Sequence, residues 1–298
     1  MNNYFELKIE INPEIEEIVS DIFFTNFGCE GVVLEEETYK DLEMTSTTRG
    51  KLRVFLKTYP NNLKEIMLVE RELMKSRGLT EEDLGSWEIT IDEKENQDWS
   101  KKWKEKWTVT RVTDKIAVVP SWLSYEPEEG EITITLDPGC AFGTGTHQTT
   151  QLCMKALEKY LKKGDSVADI GTGSGILAIL AKKLGGSKIY GCDNDETVID
   201  VCIKNAGVNG IKDVVFELNT ADKITEQYDF VCANILHFVL AEIMGDLKNI
   251  TKPGGLISLS GILDEKKGIV LDAINKENLK IVDTISQDQW ISFVVQKV

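Results

Sequence analysis

Apolar residues in the first third of the chain switch between the spacing of a strand and that of a helix. In segment 5–11, large apolar residues alternate with charged ones, which is typical of a strand with one buried face. Between Asn12 and Gly28, apolar residues recur at helical spacing. We therefore predict a strand and then an amphipathic helix, with Asn12 and Pro13 as its cap and first-turn residue and Gly28 as its end.

The alternation of strand and helix patterns continues to residue 94. The further elements predicted there are strands at 31–36, 51–58 and 87–91 and a helix at 63–76. The resulting order, βαββαβ, matches a ferredoxin-like α+β domain with both helices on one face of its sheet. We assign this domain to residues 1–94, where the sequence shows no group of residues typical of catalysis.

A tryptophan-rich segment follows the first domain. Trp99, Trp103 and Trp107 are four residues apart and so share one face of a predicted connecting helix, residues 95–108. This helix is either a substrate-contacting or hinge element with aromatic anchors, or a helix that packs its tryptophans on its own domain. The pattern favours the second interpretation.

The remaining residues, 109–298, have the rhythm of βαβ units, which predicts a mainly parallel sheet covered by helices on both faces. Short strands are predicted at 108–112, 116–119 and 131–136, and the strands of the main sheet at 166–170, 188–192, 214–218, 228–233 and 256–260. A closing hairpin, 279–285 with 291–296, is predicted to add an antiparallel strand. This half of the chain is therefore α/β.

Composition limits the class of protein. The 298 residues are 42% hydrophobic and 28% charged, which is typical of globular domains. No apolar run approaches the roughly 20 residues of a membrane helix, and no leader-like segment follows Met1, so we expect a soluble cytoplasmic protein without membrane contact. Six scattered cysteines without a CxxC pair and only two histidines argue against a metal site.

The formal net charge of −16 at pH 7 bears on partners. Contacts with phosphates dominate the affinity for nucleic acids, so an acidic chain is not expected to bind them directly. The same charge would attract a basic protein and speed its encounter. It is equally well explained as a means of keeping the protein soluble.

A glycine turn follows the first strand of the main sheet. Gly171, Gly173 and Gly175 lie between an apolar strand and a predicted helix, where bare backbone lets a nucleoside approach. A dinucleotide site is disfavoured because Ile176 stands where GxGxxG would need its third glycine. A glycine turn alone remains weak evidence for a cofactor.

Two polar residues follow neighbouring strands of this sheet. Asp193 ends the second strand, 22 residues after Gly171, where a carboxylate can accept hydrogen bonds from both ribose hydroxyls of an adenosine. Asn234 ends the fourth strand, at the edge where the reactive end of such a cofactor would lie. The alternatives are a turn residue for Asp193 and a helix cap for Asn234.

Several strings together resemble one family. They are DPGCAFGTGTHQTT at 137–150, DIGTGSGILAI at 169–179, NIL at 234–236 and LSGIL at 259–263, with DWSKKWKEKW before them and QWISFVVQK near the end. With these strings the chain resembles the bacterial ribosomal protein L11 methyltransferases, a family of protein lysine methyltransferases. The resemblance implies a class I, Rossmann-like methyltransferase domain and an N-terminal ferredoxin-like domain that recognises the substrate.

The resemblance also implies the cofactor, S-adenosylmethionine, and the residues that bind it. These are Thr146, Thr150, Gly171, Gly173, Asp193 and Asn234, with His147 in the loop that closes over the cofactor. The resemblance assigns no catalytic residue. The sequence departs from the family at Thr172, where Cys is frequent, and at 237–239, which replaces a small-residue and proline segment and puts the shape of the substrate mouth in doubt.

The implied activity is methylation of lysine amines, and of an N-terminal amine, of ribosomal protein L11 by a monomeric enzyme. One alternative is a methyltransferase for another protein, nucleic-acid or small-molecule amine. Nucleic-acid amine methyltransferases typically have Pro-Pro and an aromatic after the residue equivalent to Asn234, whereas Ile235 and Leu236 follow it here. The other alternative is an adaptor with an idle cofactor fold, which the intact glycine turn and Asp193 disfavour.

Overall fold

The structure is a computed structural model, and it describes residues 4–29, 31–36, 50–76, 78–94, 108–136 and 145–298. The chain divides into two units, residues 1–107 and 108–298.

The first unit is built around one four-stranded sheet. Its elements are β1 (Tyr4–Ile11), α1 (Glu16–Phe27), β2 (Gly31–Glu36), β3 (Gly50–Leu56), α2 (Leu63–Ser76), α3 (Glu81–Leu84) and β4 (Ile89–Lys94). The strand order is β2-β3-β1-β4 and every neighbouring pair is antiparallel. This is the ferredoxin-like arrangement that the sequence predicts.

The start of α1 differs from the prediction. Pro13–Ile15 form a 3-10 turn, and α1 begins at Glu16 with no side chain capping it. The side chain of Asn12 instead donates from Nδ2 to the carbonyl of Glu82, 3.3 Å away. Asn12 therefore ties the end of β1 to the short helix α3, and its carbonyl accepts from the N–H of Ile15 in the 3-10 turn that leads into α1. The predicted end at Gly28 is confirmed, with φ of 58°.

Helix α3 was not predicted from the sequence. Thr80 and Asp83 form a reciprocal capping box, in which the Asp83 side chain accepts from the backbone N–H of Thr80 at 2.6 Å. A four-residue helix is too short to show an apolar period, so only the capping pair could have indicated it.

A small three-stranded sheet begins the second unit. Its strands are β5 (Thr110–Arg111), β6 (Ile116–Pro120) and β7 (Ile132–Leu136), in the order β5-β6-β7. The predicted connecting helix with Trp99, Trp103 and Trp107 lies outside the described residues, as does segment 137–144 of the glycine- and threonine-rich loop.

The main sheet of the second unit has seven strands. Its elements in chain order are α4 (Gln148–Tyr160), β8 (Val167–Ile170), α5 (Ile176–Lys183), β9 (Ile189–Asp193), α6 (Glu196–Val208), β10 (Val214–Leu218), β11 (Tyr228–Asn234), α7 (His237–Asn249), β12 (Thr251–Leu263), α8 (Lys267–Lys276), β13 (Leu279–Gln287) and β14 (Trp290–Lys297). Apolar clusters on both faces of the sheet bury the inner sides of these helices.

The strand order of this sheet is β10-β9-β8-β11-β12-β14-β13. Strands β8 to β12 are parallel, whereas β14 pairs antiparallel with both β12 and β13. The predicted closing hairpin is thus confirmed. From β8 the chain first builds outwards through β9 and then returns to β11 on the other side. Such a reversal leaves a crevice at the carboxyl ends of β8 and β11, where ligands bind in open α/β sheets.

Within the described ranges, no helix has the combination of length and apolar character needed to cross a bilayer.

Candidate functional site

The glycine turn after β8 has a backbone that side chains would disturb. Gly171, Gly173 and Gly175 all have positive φ, at 68°, 53° and 81°. A Cβ on Gly171 would lie 2.5 Å from Cγ2 of Ile235, and one on Gly175 would lie 3.3 Å from Cβ of Cys202. The turn therefore requires glycine both for its conformation and for its close packing.

Helix α6 contacts the backbone of the glycine turn through two side chains. Sγ of Cys202 lies 2.8 Å from the carbonyl oxygen of Gly173, and Nδ2 of Asn205 donates to the carbonyl of Ser174 at 2.9 Å. Asn205 is almost fully buried. Sequence analysis did not assign a role to these two residues, because nothing in a helical pattern tells which side chain reaches a turn about 30 residues earlier.

Asp193 is brought directly to the glycine turn. Its Oδ2 accepts from the backbone N–H of Gly173 at 3.0 Å, and its Oδ1 accepts from the N–H of Asp195 at 3.2 Å. Burial raises the pKa of Asp193, and the hydrogen bonds from the backbone partly offset that effect. A carboxylate has about four acceptor sites, and three backbone N–H groups, those of Gly173, Asn194 and Asp195, bond to this one, so the side chain can still accept from a ligand.

The fold also brings together Asn234 and Thr150, each of which the sequence predicts to bind the cofactor. Nδ2 of Asn234 donates to Oγ1 of Thr150 at 3.2 Å, although the residues are 84 positions apart. Both side chains are buried. In the part of the chain that the structure describes, Oδ1 of Asn234 has no hydrogen-bond partner. An unpaired buried carbonyl costs stability, so it marks a place where a ligand donor fits.

Thr146 and His147 precede Thr150 by four and three residues. Thr146 is exposed, and its carbonyl oxygen accepts from Nε2 of Gln151 at 2.9 Å. His147 caps α4, because its Nδ1 accepts from the backbone N–H of Thr149 at 3.3 Å. Burial lowers the pKa of His147 to about 4, so the ring is neutral at physiological pH. Among the predicted cofactor residues, the structure thus brings Gly173 to Asp193 and Thr150 to Asn234.

Asp169 is a polar residue of this site that sequence analysis did not assign. It lies on β8, fully buried, and its Oδ2 accepts from Oγ1 of Thr172 at 2.7 Å and from the N–H of Ala178 at 3.2 Å. Its Oδ1 has no partner within the described residues. Thr172, one of the departures from the family pattern, thus supplies a hydroxyl donor that holds the glycine turn to β8.

Burial raises the pKa of Asp169 to about 7, against 3.8 for an ordinary carboxyl. Between these two values Asp169 keeps a proton in the folded protein that it releases in the unfolded chain, so its contribution to stability falls as the pH rises from about 4 to about 7. We expect Asp169→Asn to remove this dependence, which has an upper limit of about 1.4 kcal/mol per pH unit. Urea unfolding of both proteins at pH 5 and pH 7 measures it. An equal change in the free energy of unfolding between pH 5 and pH 7 in the two proteins would contradict the raised pKa of Asp169.

The main sheet has seven strands in this order, with one antiparallel strand near its end, and a glycine turn and a carboxylate lie at its carboxyl edge. These features define an S-adenosylmethionine-dependent methyltransferase of class I. The model of the family described as "Ribosomal protein L11 methyltransferase (PrmA)" matches residues 3–298. The chain belongs to this family.

Individual relatives agree with the family match. The chain is 34% identical over 308 residues to the ribosomal protein L11 methyltransferase of Anoxybacillus flavithermus, and 36% identical over 309 residues to that of Brevibacillus brevis, with 98% of both chains covered in each case. Among solved structures, it is similar to a ribosomal protein L11 methylase from Lactobacillus delbrueckii subsp. bulgaricus. That match has a TM-score of 0.62 and 32% identity, and covers 64% of this chain and 99% of that chain.

Residues 237–239, the second departure from the family pattern, begin helix α7. His237 is buried, and its ring lies edge-on to Phe238 with centroids 5.4 Å apart. The two rings therefore stand three and four residues after Asn234, beside the carboxyl edge of β11.

Proposed function

We propose that this protein methylates lysine side-chain amines, and an N-terminal amine, of ribosomal protein L11, with S-adenosylmethionine as the methyl donor. Relatives that match along 98% of the chain carry this substrate in their names. The structural observation that carries the proposal is the buried Oδ1 of Asn234 at the end of β11, which has no hydrogen-bond partner among the described residues. A ribosomal substrate would set the reaction in the cytoplasm.

The residues of the crevice fit the cofactor. The glycine turn, in which Gly171 and Gly173 have positive φ, exposes backbone at the carboxyl edge of β8 where a nucleoside can approach, and Asp193 can accept from its ribose hydroxyls. Thr150 lies beside Asn234, and Thr146 lies one turn before Thr150. We propose that Thr146, Thr150, Gly171, Gly173, Asp193 and Asn234 bind S-adenosylmethionine. When bound, the cofactor supplies an electrophilic methyl group on a positively charged sulfur.

Asn234 is suited to orienting the amine that accepts the methyl group. A lysine ammonium, with a pKa of about 10.4, has no lone pair and must lose a proton before it can react. A buried environment favours the neutral amine, and the free Oδ1 of Asn234 can accept one of its N–H groups. The amide is neutral and is not a general base, so its contribution would be alignment of the nitrogen.

The first unit supports the proposal as the part that recognises the substrate. Residues 1–94 contain 21 Asp and Glu against 11 Lys and Arg, which favours a basic partner. On the outward side of α2, Val69 is 60% exposed and Leu73 is 40% exposed, next to Glu65 and Glu72 in the helical order. Apolar side chains exposed beside acidic ones are typical of a protein-binding surface. We propose that this surface contacts the basic ribosomal protein.

A labelling experiment tests the proposal. Purified protein, L11 and methyl-labelled S-adenosylmethionine are expected to give label on lysine Nζ atoms of L11, located by tandem mass spectrometry. Val69→Lys is expected to raise the KM for L11 about tenfold with an unchanged KM for the cofactor, because an interface contact is lost and a like charge is added. Val208→Lys, at a helical valine that is 52% exposed in the second unit, is the control.

Two results would contradict the proposal. If L11 remains unlabelled while another ribosomal component takes up the label, the substrate is wrong. If Val69→Lys and Val208→Lys have equal effects on the KM for L11, the surface on α2 does not bind it.

A further inference from the structure

The tip of the C-terminal hairpin lies against the start of helix α4. Strands β13 and β14 are joined by Asp288 and Gln289, and Asp288 has φ of 52°, which Asp tolerates better than most residues. Helix α4 packs on both strands and on β12. We use the name hairpin tip for residues 287–290.

Two side-chain amides connect the hairpin tip to the backbone before α4. Nε2 of Gln287 donates to Oε1 of Gln151 at 3.1 Å. Nε2 of Gln151 donates in turn to the carbonyl of Thr146 at 2.9 Å and lies 3.5 Å from the carbonyl of Gly145. The oxygen of the first amide, Oε1 of Gln287, accepts from Nζ of Lys155 at 2.6 Å. The bonds thus form a relay with one direction, from Lys155 through Gln287 and Gln151 to Thr146.

An aromatic contact reinforces the relay. The rings of His147 and Trp290 meet edge-on, with centroids 4.9 Å apart and an interplanar angle of 71°. Trp290 is buried in a cluster with Leu152 and Leu263, so its position is fixed by packing. His147 is the residue whose Nδ1 caps α4, and the contact therefore holds the cap as well as the chain before it.

We propose that the hairpin tip is a positioning element for the cofactor site, with Gln287 as the residue that orients the Gln151 amide and so fixes the backbone of Thr146. The inference rests on the proposed function, in which Thr146 and Thr150 bind S-adenosylmethionine. Gln287 is 137 residues after Thr150 in the sequence, and among the described residues its hydrogen bond to Gln151 connects it to the start of α4 and so to the cofactor site.

The attachment of α4 as a whole does not depend on Gln287. At the other end of the helix, Nζ of Lys159 and the hydroxyl of Tyr160 both donate to Oδ2 of Asp283 on β13, each at 2.7 Å. The apolar cluster around Trp290 adds a second attachment. Loss of the Gln287 amide is therefore expected to affect the start of the helix and to leave the packing of the helix intact.

The direction of the relay allows a test that distinguishes orientation of the Gln151 amide by Gln287 from packing of the Gln287 side chain. A carboxylate cannot donate, so in Gln287→Glu the Gln151 amide must turn its nitrogen towards residue 287 and its oxygen towards the carbonyls of Gly145 and Thr146. Glu has the size of Gln and would gain an ion pair with Lys155. A role in packing alone would then give an unchanged or higher melting temperature and unchanged cofactor binding.

We expect isothermal titration calorimetry to show Kd for S-adenosylmethionine raised about fivefold in Gln287→Ala and more than tenfold in Gln287→Glu. The first variant loses the bond that orients the Gln151 amide, and the second adds a repulsion between that amide's oxygen and the carbonyls of Gly145 and Thr146. At saturating cofactor, kcat should match that of the unaltered protein. The melting temperature of Gln287→Glu should not fall. Asp283→Asn, which alters the far end of the same helix–hairpin contact, should leave Kd unchanged.

The outcomes distinguish the inference from the function on which it rests. No binding of S-adenosylmethionine by the unaltered protein would overturn both. Binding by the unaltered protein with an equal Kd in Gln287→Glu would overturn the positioning role alone. The positioning role would also be overturned if Kd rose only in variants with a lower melting temperature, or if Kd rose equally in Asp283→Asn. In either case the hairpin would act only through overall stability.

Discussion

Replacement of Asp193 by alanine is expected to weaken the binding of S-adenosylmethionine at least about 100-fold, because two or more hydrogen bonds to a charged acceptor are lost, each worth about 1.5–3 kcal/mol. One is the bond from the N–H of Gly173, which fixes the glycine turn. The others are those that the ribose hydroxyls would make with the lone pairs that remain on the carboxylate. Calorimetry with the purified variant measures the loss.

Asp195→Ala is the matched control for this prediction. Asp195 is two residues away and caps α6, with its Oδ1 accepting from the N–H of Thr197 at 2.8 Å. Its removal should cost about 1 kcal/mol of stability and leave the cofactor affinity within about twofold. If Asp193→Ala binds S-adenosylmethionine with the same Kd as the unaltered protein, the ribose of the cofactor does not bind at the end of β9.

Gly261→Ala is expected to destabilise the second unit by about 3 kcal/mol or more and to abolish methyl transfer, because overpacking and positive-φ strain act together. Gly261 has φ of 86°, and a methyl group there would lie 2.8 Å from the carbonyl carbon of Ile235 and would overlap its oxygen. Ile235 follows Asn234 and donates its N–H to the carbonyl of Ser260 at 3.2 Å. The methyl group would therefore displace the turn that carries Asn234.

The same strand offers a control for Gly261. Gly254, also on β12, has φ of 77°, and a methyl group there would meet nothing within 4 Å. Gly254→Ala should show only the strain of the left-handed conformation, about 1–2 kcal/mol, and keep its activity. Urea unfolding and a methyl-transfer assay on both variants provide the comparison. Equal losses of stability would mean that the close approach of Gly261 to Ile235 is not important.

The elements of both sheets follow from local patterns. The alternating residues of β1 and the strand and helix patterns after it predict a ferredoxin-like unit. The glycine turn, together with Asp193 and Asn234 at the ends of two later strands, predicts a parallel sheet with a nucleoside site. The closing hairpin was predicted as well, from β-branched and apolar residues around a polar turn. What these features share is that each is determined by residues close together in the sequence.

The features that the sequence did not reveal depend on contacts between distant residues. Asp169 has the same place in the pattern as any residue of a buried strand, and only the fold shows that it bonds to Thr172 and keeps one oxygen unpaired. Asn205 has the helical position of a core residue, yet it supports the backbone of Ser174. The bond of Asn12 to the carbonyl of Glu82 was missed for the same reason, since Glu82 is 70 residues later.

The place of β14 in the main sheet has a consequence for how this protein is made. Although it is the last strand of the sheet to be synthesised, β14 lies between β12 and β13 and pairs with both. Until it has left the ribosomal tunnel, the nascent chain holds two strand edges with unpaired backbone groups, which attract other chains. Trp290 is also still missing from its place against His147 at that stage. The enzyme can therefore become competent only once translation has passed these residues, whatever has already folded before them.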